Sequence, residues 1–303
     1  MTRATSALPR PLRLPGLRRR TLPRPGAALW RGNGALRWGV LLLASLLVAS
    51  AVGMLVLGDP NEQQLADAFA PAGTAGHLAG ADPLGRDVLA WCARGLWTSL
   101  TVSFAVATLG ALIGTAVGVV AGYAGGIVDS VLMRLVDLSL ALPPLLLFIA
   151  ASVVVAPRPA TLVVLLTFVA WIPYARLVRA HVLTERERPY IAAARLAGTP
   201  AWRICLRHLV PAASTAIIVL FTLQLGYVLL WESGLSFLGL GLQPPHVSLG
   251  YMIAQGRDYL ASAWWITTIP GLVIVALMLS FNLIGDGLRD AFQLDVEEAV
   301  HER

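Results

Sequence analysis

Long apolar runs without Asp, Glu or Arg alternate along this sequence with short polar segments. A transmembrane helix needs roughly 20 mostly apolar residues to cross about 30 Å of hydrocarbon, so each run predicts one membrane span. These runs recur too often in a chain of 303 residues to be buried helices of a soluble protein. The six predicted spans are 38–58, 98–122, 138–156, 159–175, 212–231 and 263–285.

The composition supports a membrane protein and excludes two functions. Hydrophobic residues make up 57% of the chain and charged residues 13%, against about 45–50% and about 25% in soluble domains. All 23 basic residues are arginine, so the chain has no lysine for a Walker A phosphate-binding loop. The net charge of +6 does not indicate nucleic-acid binding, because the arginines flank apolar runs instead of forming a basic face with aromatic residues.

The arginines also predict the orientation of the chain. With the N-terminus in the cytoplasm, 19 arginines fall in inside segments and four in outside segments. By the positive-inside rule, both termini are then cytoplasmic. Residues 1–37 are rich in Arg and Pro and contain no acidic residue, which predicts a disordered tail. The tail and first span also resemble a signal peptide with small residues at 49–51, an alternative that the sequence leaves open.

The predicted spans contain no ionisable side chain in their interiors. An ion-coupled carrier normally keeps such groups inside the membrane, whereas here Asp137 and Glu232 lie at span ends. Gln224 and Asn282 are the main polar side chains deeper in the spans. The five histidines show no metal-ligand spacing, and no catalytic triad or carboxylate pair can be assigned. The sequence therefore predicts neither catalysis nor metal binding by this chain.

Two local patterns concern helix packing. Pro143 and Pro144 are expected to kink the third span, as a structural bend or as part of a gate. In the second span, glycines recur at every fourth residue and so lie on one helix face, where another helix of this subunit or of a second subunit can approach closely. These glycines are Gly110, Gly114, Gly118 and Gly122, with Gly126 continuing the repeat.

The longest inside loop, 176–211, has seven arginines around a run of small residues. Residues 190–196 are predicted to form a short helix that ends before Gly198. A surface helix made mainly of alanines buries little core, so we expect it to enter a groove on another protein. Arg195 and Arg203 would then face acidic residues or carbonyl groups of that protein. The alternative is a helix that lies on lipid.

This segment resembles the E-A-A-x3-G-x9-I-x-L-P loop of ABC importer permeases, and more closely the version in the dipeptide, oligopeptide and nickel permease family. Ala192 replaces the Glu of the family and Val210 replaces its Leu. The residues in this loop that the resemblance implies as ATPase contacts are Tyr190, Ala193, Ala194, Arg195, Gly198, Arg203, His208 and Pro211.

Further motifs of the same family extend the resemblance over roughly residues 38–295. They resemble an external H-x-L-G-T-D-x-x-G-R-D-V segment, a G-Y-Y-G-G-x-x-D-x-x-L-M-R-x-x-D segment and an E-x-x-L-S-F-L-G-L-G-x-Q-P-P run. Leu249 stands where the family usually has Trp. The residues singled out in the external motifs are Asp82, Arg86, Asp87, Glu232 and Gln243.

The resemblance implies an all-α integral membrane protein with the type I ABC importer permease fold, in which five helices form the core and the N-terminal helix lies outside it. The implied organisation is a tail (1–37), the first helix with an extracytoplasmic segment (38–97), the core (98–285) and a C-terminal cytoplasmic tail (286–303). The core includes a cytoplasmic coupling loop (176–211).

The implied function is to form half of the translocation pathway of an ATP-driven importer of di- or oligopeptides or related small solutes in the plasma (inner) membrane. The implied partners are a second homologous permease, two cytoplasmic ABC ATPases, an extracytoplasmic substrate-binding protein and the lipid bilayer, without nucleic acid. ATP and Mg would be bound by the ATPases, and this chain would bind no cofactor and would not be an enzyme.

The implied mechanism is mechanical. ATP closes the ATPase dimer, the loop helix moves as a rigid lever, and spans 3 to 6 switch between inward and outward access. Gly198→Trp is expected to block docking of the ATPase. The alternatives are a permease for nickel chelates or other small solutes, a secondary transporter or channel, a membrane-anchored enzyme and an ABC exporter.

Overall fold

The computed structural model describes residues 33–141, 143–154 and 158–301, and no β-strand occurs within these ranges. Five helices are long and apolar enough to cross a membrane, and a bent pair of helices, Gly126–Ala141 and Pro144–Val154, gives a sixth candidate. The predicted all-α membrane protein is thereby confirmed. The helices are α1 (Gly34–Val56), α2 (Val88–Ala124), α3 (Gly126–Ala141), α4 (Pro144–Val154), α5 (Pro159–Glu185), α6 (Pro189–Leu196), α7 (Ala201–Phe237), α8 (Leu249–Gly256) and α9 (Trp265–His301).

Several helices extend beyond the predicted spans, because charged residues do not end them. α5 begins at Pro159 as expected but continues through Pro173 to Glu185, ten residues beyond the predicted span. Arginine favours the helical conformation, and two of the arginines beyond residue 175 also pair with carboxylates of α3. α2 begins at Val88, well before residue 98, because the side chain of Asp87 caps its first turn.

The third predicted span, 138–156, is not a continuous helix. α3 and α4 are separate helices whose axes are bent by 79° relative to each other. α4 begins at Pro144, directly after Pro143. Two consecutive prolines lack backbone N–H donors, so the expected kink takes the form of a complete break.

α2 and α5 run side by side in the same direction and form the most extensive helix pair. A Cβ atom added at Gly114 would lie 2.3 Å from the carbonyl oxygen of Trp171, and one added at Gly118 would lie 2.6 Å from that of Ala175. The repeated glycines therefore lie at a contact within this subunit. Gly126 does not share that face, since it begins α3. The other two glycines that face α5 are Gly110 and Gly122.

α1 lies on the outside of the bundle, against α9 and α2. Gly39 approaches the backbone of α9, where an added Cβ would lie 2.8 Å from the amide nitrogen of Ile284. Residues 1–32 of the predicted tail lie outside the described residues, and α1 already begins at Gly34. The predicted C-terminal tail, 286–303, continues α9 as far as His301.

The short helices mark opposite ends of the bundle. α6 follows the C-terminal end of α5, whereas α8 follows the C-terminal end of α7. α7 runs antiparallel to α2 and α5, as shown by the hydrogen bond between Ser99 near the start of α2 and Glu232 near the end of α7. We call these regions the α6 end and the α8 end.

Candidate docking site

α6 is an eight-residue helix that begins at Pro189, so the short helix predicted at 190–196 is confirmed. It is anchored through one fully buried side chain, Ile191. Ile191 packs in a cluster with Val119 of α2, Val182 of α5 and Leu209 of α7. Through this side chain α6 therefore contacts three membrane-spanning helices.

The opposite face of α6 is exposed, and we call Ala192, Ala193 and Leu196 the docking face. Leu196 is 90% exposed, and Trp202 and Leu206 after the helix are 61% and 63% exposed. Uncovered large apolar side chains are typical of contact surfaces. The alanines are evident from the sequence, whereas these three larger residues were not predicted; the only signal for them is that large apolar side chains occur in an arginine-rich segment.

Tyr190 and His208, both predicted as contact residues, lie next to each other, with Tyr190 exposed and His208 half-buried. Their ring centroids are 5.8 Å apart. The Tyr190 hydroxyl donates a hydrogen bond to the Glu185 carboxylate at the end of α5, and this bond raises the pKa of Tyr190. Both contacts fix the start of α6 relative to α5 and α7.

The two arginines predicted to face a partner rest on aromatic rings of this chain. The Arg195 guanidinium carbon lies 5.0 Å from the ring centroid of Tyr123 at the end of α2. The Arg203 guanidinium carbon lies 5.3 Å from that of Trp202. Both arginines remain exposed, so their donors are accessible to a partner as well.

The remaining predicted contact residues differ in what they do. Gly198 follows α6 with φ 74°, a left-handed conformation that favours glycine. Gly198→Trp would therefore strain the backbone itself and would not isolate a docking effect. Ala194 is partly packed against the Ile191 cluster, whereas Ala193 and Pro211 are exposed. Ala193 is thus the better position for a docking test.

At the α8 end, the predicted residues Asp82 and Arg86 form a buried ion pair. Arg86 Nε donates to Asp82 Oδ2 at 2.6 Å, and Arg86 Nη2 donates to Oε1 of Gln255 in α8 at 3.0 Å. The guanidinium carbon also lies 3.7 Å from the ring centroid of Trp91 in α2. Arg86 thereby joins the segment before α2 to α2 and α8, although Trp91 and Gln255 were not identified from the sequence.

Asp87 has two structural contacts next to this pair. One carboxylate oxygen accepts a hydrogen bond from the Ala90 amide at 2.7 Å and caps α2. The other lies 3.1 Å from Nδ1 of His77, a buried histidine of the segment before α2. Asp82, Arg86 and Asp87 therefore order this segment against the start of α2.

Glu232, predicted at a span end, lies in the last turns of α7, which continues to Phe237. Its side chain is completely buried. The carboxylate accepts hydrogen bonds from the hydroxyls of Ser99 at 2.9 Å and Ser236 at 3.0 Å, which compensate for the burial. Gln243 instead lies on an exposed turn after α7.

Among the described side chains, those of residues 33–141, 143–154 and 158–292, no group of three or more His, Cys, Asp or Glu could hold a metal ion. The polar groups of the α8 end are used in packing contacts. The α6 end offers an exposed helix face connected to three spans, which is suited to receiving a partner.

Comparisons with known proteins agree with this geometry. Residues 114–298 match the family described as binding-protein-dependent transport system inner membrane component. The chain is 40% identical over 266 residues to the dipeptide transport system permease protein of Escherichia coli (strain K12), covering 86% of this chain and 89% of that protein. It is 35% identical over 266 residues to the dipeptide transport system permease protein of Haemophilus influenzae, covering 86% and 90%.

The fold is also similar to a solved structure. A chain in the inward-facing MetNI methionine ABC transporter aligns with a TM-score of 0.54 at 22% sequence identity. The alignment covers 66% of this chain and 96% of that chain. This likeness supports the type I ABC importer permease fold.

Proposed function

This chain belongs to the family of binding-protein-dependent transport system inner membrane components, and we propose that it imports di- and oligopeptides as one permease subunit of an ATP-driven transporter. Its relatives in Escherichia coli and Haemophilus influenzae are dipeptide transport system permease proteins. The chain covers 89% and 90% of their lengths. The near-complete coverage supports the same kind of solute for this chain.

One observation carries the proposal. The outer face of α6 is exposed to solvent, and its inner face packs against three spans. Ala192, Ala193 and Leu196 are exposed, while Ile191 on the other side is fully buried. A groove on an ATPase that closes around the docking face would therefore move α2, α5 and α7 through Ile191. The small alanines let such a groove approach the helix backbone.

The proposed cycle uses ATP to choose between conformations of this chain. ATP closes the dimer of ATPases, α6 moves with them as a rigid lever, and the spans switch from inward to outward access. The ATPases can shift this equilibrium only by as much as they bind the two conformations differently. ATP and Mg are bound by the ATPases, and the chain itself makes and breaks no covalent bond.

The proposed assembly also contains a second homologous permease and a substrate-binding protein. The binding protein would deliver the peptide at the α8 end, and the two permeases would share the translocation pathway. The arginine distribution, 19 against four, supports a cytoplasmic α6 end with both termini on the same side. The ATPases would then reach α6 from the cytoplasm.

The contacts divide the predicted coupling residues into two groups. Ala193, with Ala192 and Leu196, supplies the surface that an ATPase would grip. Tyr190 and His208, which contact each other, hold the helix in place. We assign the exposed arginines Arg195 and Arg203 to hydrogen bonds at the rim of the ATPase groove.

Reconstitution tests the function. The chain, the second permease and the two ATPases are assembled in liposomes, and binding protein loaded with a radiolabelled dipeptide is added. We expect the loaded binding protein to stimulate ATP hydrolysis and dipeptide uptake, and omission of the ATPases or of the binding protein to abolish uptake. Dipeptide uptake by this chain alone would contradict the proposal.

A further inference from the structure

α3 is a helix with a sharp change of chain direction at each end. Gly125 directly precedes it and Gly126 is its first residue, with φ values of 66° and 53°, and the 79° bend to α4 follows it. Among the residues of α3, Val136 alone is buried. Apolar packing of α3 within the chain is confined to one small cluster, in which Val136 and Met133 meet Ile172 and Ala175 of α5, so the polar contacts of α3 add a second connection to α5.

Two arginines of α5 pair with two aspartates of α3, but the two pairs differ in strength. Arg179 pairs with both carboxylate oxygens of Asp129, with Nη2 2.6 Å from Oδ2. Arg176 makes one hydrogen bond to Asp137 at 2.8 Å. The side chains of the first pair are 32% and 15% exposed, against 50% and 60% for the second. A bidentate, partly buried pair is the stronger connection.

The C-terminal end of α5 also contacts the junction between α2 and α3. Arg186, which caps α5, donates from Nη1 to the Gly122 carbonyl oxygen at 2.7 Å. The last carbonyl groups of a helix lack helical partners and carry partial negative charge, so a guanidinium is favoured there. Arg186 stands in the short link to α6, and a movement of α6 acts directly on this junction.

We propose that Asp129 and Arg179 are positioning residues that make α3 follow α5 when α6 is displaced, so that α3 swings about Gly125 and Gly126 as a moving part of the pathway. This inference rests on the proposed import function. Asp129 lies in the first turn of α3, close to the glycine hinge. The 16 residues of α3 extend about 24 Å at about 1.5 Å per residue, so a small shift at Asp129 becomes a larger one at the far end.

Asp129→Asn tests the pair in the reconstituted complex, through the number of dipeptides imported per ATP hydrolysed. We expect this ratio to fall by about tenfold, within the usual range for coupling between sites, while ATP hydrolysis persists. Asp137→Asn, in the exposed pair, is the matched control and should leave the ratio unchanged. The charge exchange of Asp129→Arg with Arg179→Asp should restore it. An unchanged ratio in Asp129→Asn, or equal losses of import and hydrolysis, would overturn the proposal.

Spin-label distances give a second readout that does not depend on transport. The two native cysteines are first replaced. A label pair at Ser130→Cys and Thr184→Cys then measures the distance between α3 and α5. A second pair at Ser130→Cys and Ser152→Cys measures the distance between α3 and α4. With a non-hydrolysable ATP analogue, we expect the first distance to stay constant and the second to change. A change in the α3 to α5 distance would contradict the proposal. Absence of coupled import by the unmodified complex would instead contradict the proposed function.

Discussion

The two ends of the bundle differ in which side chains they bury and which they leave exposed. At the α8 end, Arg86 and Glu232 are buried, and each is paired within the chain. At the α6 end, Leu196 and Trp202 are left largely uncovered. Exposed apolar side chains occur at both ends, since Leu78, Leu238 and Trp264 of the α8 end are also uncovered. The ends differ in that the α8 end holds charged groups in buried contacts within the chain, whereas the short helix of the α6 end presents an exposed apolar face to a partner.

Arg86→Ala should have the largest effect on stability. The variant leaves the Asp82 carboxylate buried without its partner, which typically costs about 3–5 kcal/mol. The free energy of unfolding of the purified chain in detergent measures the loss. Arg257→Ala, at an exposed arginine of the same end, should change it by less than about 0.5 kcal/mol. Equal free energies of unfolding for the two variants would mean that the buried pair of Asp82 and Arg86 does not stabilise the α8 end.

Gly114→Ala should have an intermediate effect, in the helix contact that connects the two ends. The new Cβ would lie 2.3 Å from a backbone oxygen of α5, and overpacking of this kind costs about 1–3 kcal/mol. Gly234→Ala in α7 is the matched control, because no atom lies within 4 Å of its added Cβ. It should be neutral or stabilising by up to about 1 kcal/mol. Similar unfolding energies for the two variants would contradict the close α2–α5 contact.

Leu196→Ser should have the smallest effect on the stability of the isolated chain. The side chain is 90% exposed, and substitutions at such sites usually stay within about 0.5 kcal/mol. The same unfolding assay in detergent applies. A loss as large as that of Arg86→Ala would show that Leu196 is covered within the chain, and the contrast between the two ends would disappear.

The sequence predicts those parts of the fold that depend on local pattern. Charge-free runs reveal the spans, and Gly198 with the prolines around it marks the short helix. The extension of α5 was missed because the predicted span ended at the first arginine, although arginine has a high helix propensity. The pair of Arg179 with Asp129 could not be predicted, because the two residues are distant in the sequence. The glycine repeat predicts a close helix contact without identifying α5 as its partner.

The candidate site likewise has features that the local sequence predicts and features that depend on tertiary packing. Its alanines stand out from the sequence because a surface helix made mainly of alanines has little apolar surface to bury in a core. The exposure of Leu196 could not be predicted, since an apolar side chain faces the core or the solvent according to tertiary packing, and Ile191 occupies the inner face. The burial of Glu232 likewise depends on Ser99 in another helix.

Site-specific cross-linking in the assembled transporter shows what touches α6. Ala193→Cys is introduced into a chain that also carries Cys205→Ser, and Ala180→Cys on an exposed position of α5 is the control. With a short thiol-reactive cross-linker, we expect Ala193→Cys to form a covalent adduct with an ATPase subunit and Ala180→Cys to form none. An assembled, active complex in which Ala193→Cys gives no ATPase adduct would contradict the docking role of α6.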